Sequence, residues 1–340
     1  VARVHIGAGS PGISTGVGPV GFYQSLAGGG RGRLIGARTA GQTLAQAKAA
    51  QAQELSAAIR QVLDLHRVEF APATRPLAQP ESPVDTGAIR RRHMKGALAG
   101  VAFWNFKARR QAKTAAEAAT QRELADNQAR LAQLQANRQA DLDRRWARLT
   151  DNDPEVVRED LAAAYEDNDA AAAVVAVEKG TASVVVLVPD VDVLPDRYPT
   201  TTQAGNLSLR RMSKTEQSEL YRTMVAGYVL VTVKEALAVA PRLLGLRAVA
   251  IRIPRADAYG KPVVEPVLAC HLTRQALSGV RWKEADATSV LMDAADEVVF
   301  RLKGAAKTLM PIELVAEPDI ARLVAAVEVD ELLMKNRVTA

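Results

Sequence analysis

Cys270 and His271 stand side by side, and a thiolate next to an imidazole is a nucleophile and its base. The surrounding residues 263–273, VVEPVLACHLT, read as a strand, in which neighbours point to opposite faces. The two side chains therefore cannot share a hydrogen bond, and Cys270 reads as a small core residue. A second set consists of acids: Asp190, Asp192 and Asp196 in a proline-bearing loop after a strand end, and Asp257 and Glu265 in a later hairpin. An acid in a hairpin followed by a glutamate in a strand is the pattern of metal-dependent nucleases of the restriction-enzyme type. That pattern needs a lysine two residues after the glutamate to help activate water, and here the run is Glu265-Pro266-Val267. An enzyme on these acids requires Asp192, Asp257 and Glu265 to meet in one cleft; singly, acids in such a loop are turn formers. The four histidines, His5, His66, His93 and His271, are too scattered for a zinc site, so neither a metal nor another cofactor is expected.

The opening run VHIGAGSPG carries Gly7, Gly9 and Gly12 after a strand-like stretch, which matches the glycine spacing of a dinucleotide-binding turn. That turn must open a helix, yet the next residues include Gly16, Gly18, Pro19 and Gly21, and the first acid is Glu54. Short strands punctuated by glycine turns are the better reading of residues 1–33, in the pieces ARVHI, GIST and PVGFYQSL. So small a sheet needs more strands from elsewhere, which makes it a self-association element through its edges.

The sharpest local feature is residues 90–113. Arg90, Arg91, Arg92 and Lys95 precede an apolar patch ending in Phe103, Trp104 and Phe106, and Lys107, Arg109, Arg110 and Lys113 follow it, with no acid between Asp85 and Glu117. Cations around Trp and Phe suit an interfacial helix on an anionic membrane. They equally suit contact with a nucleic-acid backbone and stacking on its bases. Because the patch is short and basic runs are mostly solvated faces, the simplest expectation is that it docks a long helix onto the rest of the protein.

The elements that must position these residues follow from periodicity. Residues 213–241 are the strongest helix signal: Ser213 and Glu216 form a capping box, Pro241 ends the ladder, and the apolar residues between leave little polar face. This is the expected core helix. It is not a membrane span, because Arg222, Lys234 and Glu235 confine the charge-free run to roughly 11 residues where about 20 are needed. Residues 43–66 place Leu44, Leu55, Ile59, Val62 and His66 on one helical face, with His66 partly packed at its edge. The run FAPATRPLAQPESPVD reads as an extended linker, and GGGRGR before it as a flexible one. Residues 107–150 lack Gly and Pro and predict a helix about 60 Å long, whose leucine stripe suits antiparallel or bundle packing. Asp153 and Pro154 start another helix. Strands are expected at 173–178 and 183–188 around Lys179-Gly180, and at 247–254 and 263–273; helices are expected at 287–303 and 314–333.

The runs HIGAGSPGISTGVGPVGFYQS, VPDVDVLPDRYPTTTQAGNLSLRRMSKTE, VTVKEALAVAP, DAYGKPVVE and LSGVRWKEADA resemble an uncharacterised, mostly actinobacterial family, a domain of unknown function with a glycine-rich β module and a C-terminal α+β domain. The resemblance covers both ends of the chain and implies an architecture without an activity. Family members carry further β repeats before this point, so the start at Val1 reads as truncated.

The fold class expected is α+β: a small Gly-rich β module (1–33), a long helical middle (43–150), and a C-terminal ββαββα-type domain (151–340) with a mainly antiparallel sheet. Aromatics are only 4%, and the single cysteine excludes an intramolecular disulfide, so a cytoplasmic setting is expected. Net charge is +6. The first functional reading is a non-enzymatic assembly or scaffold protein, a homo-oligomer that also binds a protein partner. The second is a peripheral binder of nucleic acid or anionic membrane through Arg90, Arg91, Arg92, Lys95, Trp104, Lys107, Arg109 and Arg110. The third is a hydrolase using the acids of the C-terminal domain.

Overall fold

The computed structural model describes residues 3–5, 12–14, 37–168, 170–202, 207–330 and 332–334. In chain order the elements are β1 (Arg3–His5), β2 (Gly12–Ser14), α1 (Ala37–Asp64), α2 (Thr86–Leu98), α3 (Phe106–Thr150), α4 (Pro154–Ala164), β3 (Ala172–Glu178) and β4 (Thr181–Leu187). There follow β5 (Arg197–Thr201), β6 (Leu207–Arg211), α5 (Lys214–Val239), β7 (Gly245–Ala256), β8 (Pro262–Thr273), α6 (Arg274–Leu277), α7 (Ala287–Ala294), β9 (Ala295–Lys303), β10 (Thr308–Met310) and α8 (Pro318–Ala325). The chain divides into two compact units, Val1–Ala73 with Leu149–Ala340, and Thr74–Arg148.

The first unit is α+β around a six-stranded sheet of order β10-β9-β8-β7-β4-β3. All its pairings are antiparallel except β4 with β7, which run parallel because α5 carries the chain back between them. The β3–β4 turn is set by Lys179 (φ 51°) and Gly180 (φ 77°), the two positive values that match the twist of a tight hairpin. Helix α5 is the core helix. Ser213 accepts from the Glu216 amide and Glu216 from the Ser213 amide, so both orphan donors are satisfied. The other end is closed by Arg274, which donates to the carbonyls of Leu237, Ala240 and Leu243 at 2.7–2.9 Å. Met224, Val229, Leu230, Val233 and Ala236 are all at most 1% exposed.

One face of the sheet carries Val185, Leu187, Val249, Ile251 and Ala269 against Ile312, Ile320 and Leu332. Alternation puts Val184, Ala248 and Cys270 on the opposite face.

Several expectations need correction. Residues 287–303 do not form one helix: α7 stops at Ala294, and β9 adds to the edge of β8, where Val298, Val299 and Phe300 suit a strand. The interval 314–333 contains α8, which starts at Pro318 and ends before Ala326, as expected. The proline-bearing loop contains the antiparallel ribbon β5–β6. The order is therefore longer than ββαββα, although the class is α+β. His66 is fully buried, on a 3-10 turn after α1. Of the glycine-rich stretch, β1 and β2 pair through Val4 and Ile13; the third strand and GGGRGR lie outside the described residues.

The second unit is built on α3. The proline-rich stretch before α2 is extended, as expected, yet it is no free linker. Arg75 makes two 2.7 Å bonds to Asp143, Gln139 accepts from the Ala78 amide and donates to the Pro76 carbonyl, and Arg138 pairs with Glu81. Proline withdraws amides from this strap, so side chains of α3 supply its hydrogen bonds.

Candidate functional site

The basic aromatic segment is not one helix. Helix α2 is capped by Asp85, whose carboxylate accepts from the Ala88 amide, and it ends at Leu98 ahead of Gly100 at φ 80°. Asn105 then starts α3, its side chain accepting from the Ala108 amide at 3.1 Å. Residues 99–105 are a turn between two helices, and the sequence-predicted site residues are spread over all three parts. Arg90, Arg91, Arg92 and Lys95 are on α2, Trp104 is in the turn, and Lys107, Arg109 and Arg110 are in the first turns of α3.

These cations divide into two groups. Arg92 and His93 share Glu123 of α3, the latter at 2.6 Å, Arg90 approaches Glu117 at 3.9 Å, and Arg91 approaches Asp85 at 3.8 Å. The hydrogen bond from Arg92 holds the Glu123 carboxyl below its ordinary value. Arg92 and His93 thus tie α2 to α3, while Arg91 pairs within the cap of its own helix. Lys95, Lys107, Arg109, Arg110 and Lys113 make no ion pair among the described residues.

The rings between them are bare within their own unit. Phe103, Trp104 and Phe106 are 74%, 67% and 80% exposed, and Phe103 meets Trp104 edge to face at 4.8 Å. The acid-free interval from Asp85 to Glu117 is the sequence signal that joins Phe103, Trp104, Phe106 and Lys113 to the basic residues around them.

The acids of the C-terminal domain do not assemble as an enzyme would need. Asp192 is exposed on a 3-10 turn, Asp257 accepts from the Tyr259 and Lys261 amides of its own hairpin, and Glu265 is held by Arg252 at 2.8 Å. Arg252 also reaches Asp190 at 3.3 Å, so this cluster is a half-buried ion triad beside Tyr221, whose hydroxyl burial pushes up to about 12. Among the described residues no group of three His, Cys, Asp or Glu side chains could hold a metal ion. Cys270 is buried, which pushes its thiol up to about 12, and His271 lies on the other face with its Nδ1 3.2 Å from Asp296. No helix among the described residues is long and apolar enough to cross a membrane. No family model matches the chain, and no curated protein or solved structure is significantly similar to it.

Proposed function

We propose that this chain is a peripheral binder of anionic lipid surfaces, attached through the turn at 99–105 and the helix ends beside it. The observation that carries this reading is the cluster of Phe103, Trp104 and Phe106, each at least two-thirds exposed, with five cations around it that have no carboxylate partner among the described residues. Each ring that leaves water contributes about 1.5–3 kcal/mol, and each cation near an anionic surface about 1 kcal/mol. A turn with rings packed edge to face suits insertion between headgroups. A single-stranded nucleic acid instead prefers a groove with ring faces spaced for successive bases.

The test is co-sedimentation of the protein with vesicles of phosphatidylserine and phosphatidylcholine. Binding should weaken with salt, be absent from phosphatidylcholine alone, and be lost when Phe103, Trp104 and Phe106 are changed to Ser. Binding to a single-stranded oligonucleotide with none to either vesicle would exclude the lipid reading.

The β1–β2 pair supports a second reading, self-association in a scaffold or assembly protein. Two strands of three residues cannot bury a core alone and gain from strands of another copy. Light scattering should then report an oligomer that dissociates when residues 1–33 are removed.

A further inference from the structure

Helix α1 is long and lightly held. Of residues 46–64 only Ala52 and Val62 are buried, and the 3-10 turn that follows, Leu65–Arg67, adds Leu65 and His66. Leu65 seats against Gly227 of α5, where an added side-chain carbon would come within 3.0 Å of its Cβ. An element pinned by so few apolar residues opens at lower cost than the core beneath it. Helix α5 has support of its own, because it also packs on β7, α4 and α7.

His66 is the polar member of this seat. It is fully buried, and its Nε2 donates to the Ala285 carbonyl at 2.8 Å, which leaves Nδ1 as the unprotonated nitrogen. Nδ1 is enclosed and meets no hydrogen-bonding partner among the described residues. A proton added there creates a buried cation whose new N–H has no acceptor, so the docked seat resists it. The charged neighbours do not repair this. Lys234 of α5 donates to the His66 carbonyl at 2.9 Å, and Arg67 is next in the chain, paired with Asp64 at 2.7 Å; both cations oppose a charge on the ring. Asp286 at the start of α7 favours that charge, but its carboxylate already accepts from the Ser289 amide at 3.0 Å, and the charge of Glu69 acts on Lys234. Burial outweighs the Ala285 carbonyl and Asp286, and the ring binds its proton less readily than a free imidazole.

We propose that His66 is an acid-operated latch for α1: on acidification α1 and its turn leave α5, while α5 and the sheet stay folded. Release bares Val62, Leu65 and the surface of α5 at Gly227. The chain beyond the turn stays anchored, since the Ala73 amide donates to the Ala238 carbonyl at 2.8 Å. The sign follows from linkage. The opened turn takes up its proton near pH 6.5 and the docked turn only below that, so opening gains up to about tenfold for each pH unit below 6.5, until the docked ring itself titrates.

The experiment is hydrogen–deuterium exchange of the full chain in steps from about pH 7.5 to 5, read by mass on peptides and corrected for intrinsic chemical rates. Peptides from 50–67 are expected to exchange faster at pH 5 than at pH 7, by no more than about 30-fold, while peptides from α5 and β7 keep their rate. His66→Gln, which cannot take the proton, should remove the difference. Equal rates for 50–67 at the two pH values, a matching acceleration in α5 and β7, or the same acceleration in His66→Gln would each overturn the latch. If His66→Gln does not fold, the wild-type profile decides: acceleration confined to 50–67 and beginning near pH 6.5 supports the latch, and any other profile overturns it.

Discussion

The ammonium of Lys234 on α5 stands 4.1 Å from the centroid of the Trp282 ring while donating to the His66 carbonyl at 2.9 Å and to the Val68 carbonyl. A half-buried cation is thus held by a ring face and two backbone oxygens, and through it the turn after α1 is fastened to α5. Burial lowers its pKa to about 8.

Because the folded state binds this proton less tightly than the unfolded chain, the unfolded state carries more protons between about pH 8 and the ordinary lysine value of 10.5, and stability rises with pH across that window. Lys234→Met lacks this rise. Urea midpoints at pH 7.5 and 10 should show wild type gaining relative to the variant; an unchanged difference would mean the site is solvated. Trp282→Ala should cost about 1–3 kcal/mol from lost packing and the lost cation–ring contact.

His66 works in the same direction at lower pH. Its Nε2 bonds the Ala285 carbonyl at 2.8 Å, its Nδ1 is buried, and burial lowers its pKa below 6.5. The unfolded chain therefore takes up the proton first, and stability is lost as pH falls below about 6.5. Melting temperatures of wild type should drop between pH 7 and 5 more steeply than those of His66→Gln.

Ser213→Ala removes one half of the capping box and leaves the Glu216 amide without its acceptor. A loss of about 1 kcal/mol is expected in chemical denaturation, with the fold retained.

At Gly227 a methyl group would sit 3.0 Å from the Leu65 Cβ, so glycine sets how closely the turn approaches α5. Gly227→Ala gains about 1 kcal/mol of helix propensity and loses about 1–3 to overpacking. A net destabilisation is expected, and Leu65→Ala in the same chain should relieve part of it. If Gly227→Ala raises the melting temperature, the contact is softer than the geometry implies.

What the sequence by itself determined is local. The capping box at Ser213 and Glu216, the turn at Lys179-Gly180, the opposite orientation of Cys270 and His271, and the unbroken helix from the start of α3 all follow from interactions within a few residues, and each is found where the spacing puts it. Tertiary structure decided whatever depends on a distant partner. Residues 295–303 have a pattern open to helix or strand, and the free edge of β8 settles it. Arg252 of β7 draws together Asp190, in the loop after β4, and Glu265 of β8, and a bulge brings Asp296 to His271. The Ala78 amide and the Pro76 carbonyl, which have no partner within an extended stretch, both find one in Gln139, so a linker-like stretch binds α3. The exposure of Phe103, Trp104 and Phe106 belongs to the same class, since an aromatic patch has one sequence whether it is covered or bare, and only the packing of the remaining chain decides which.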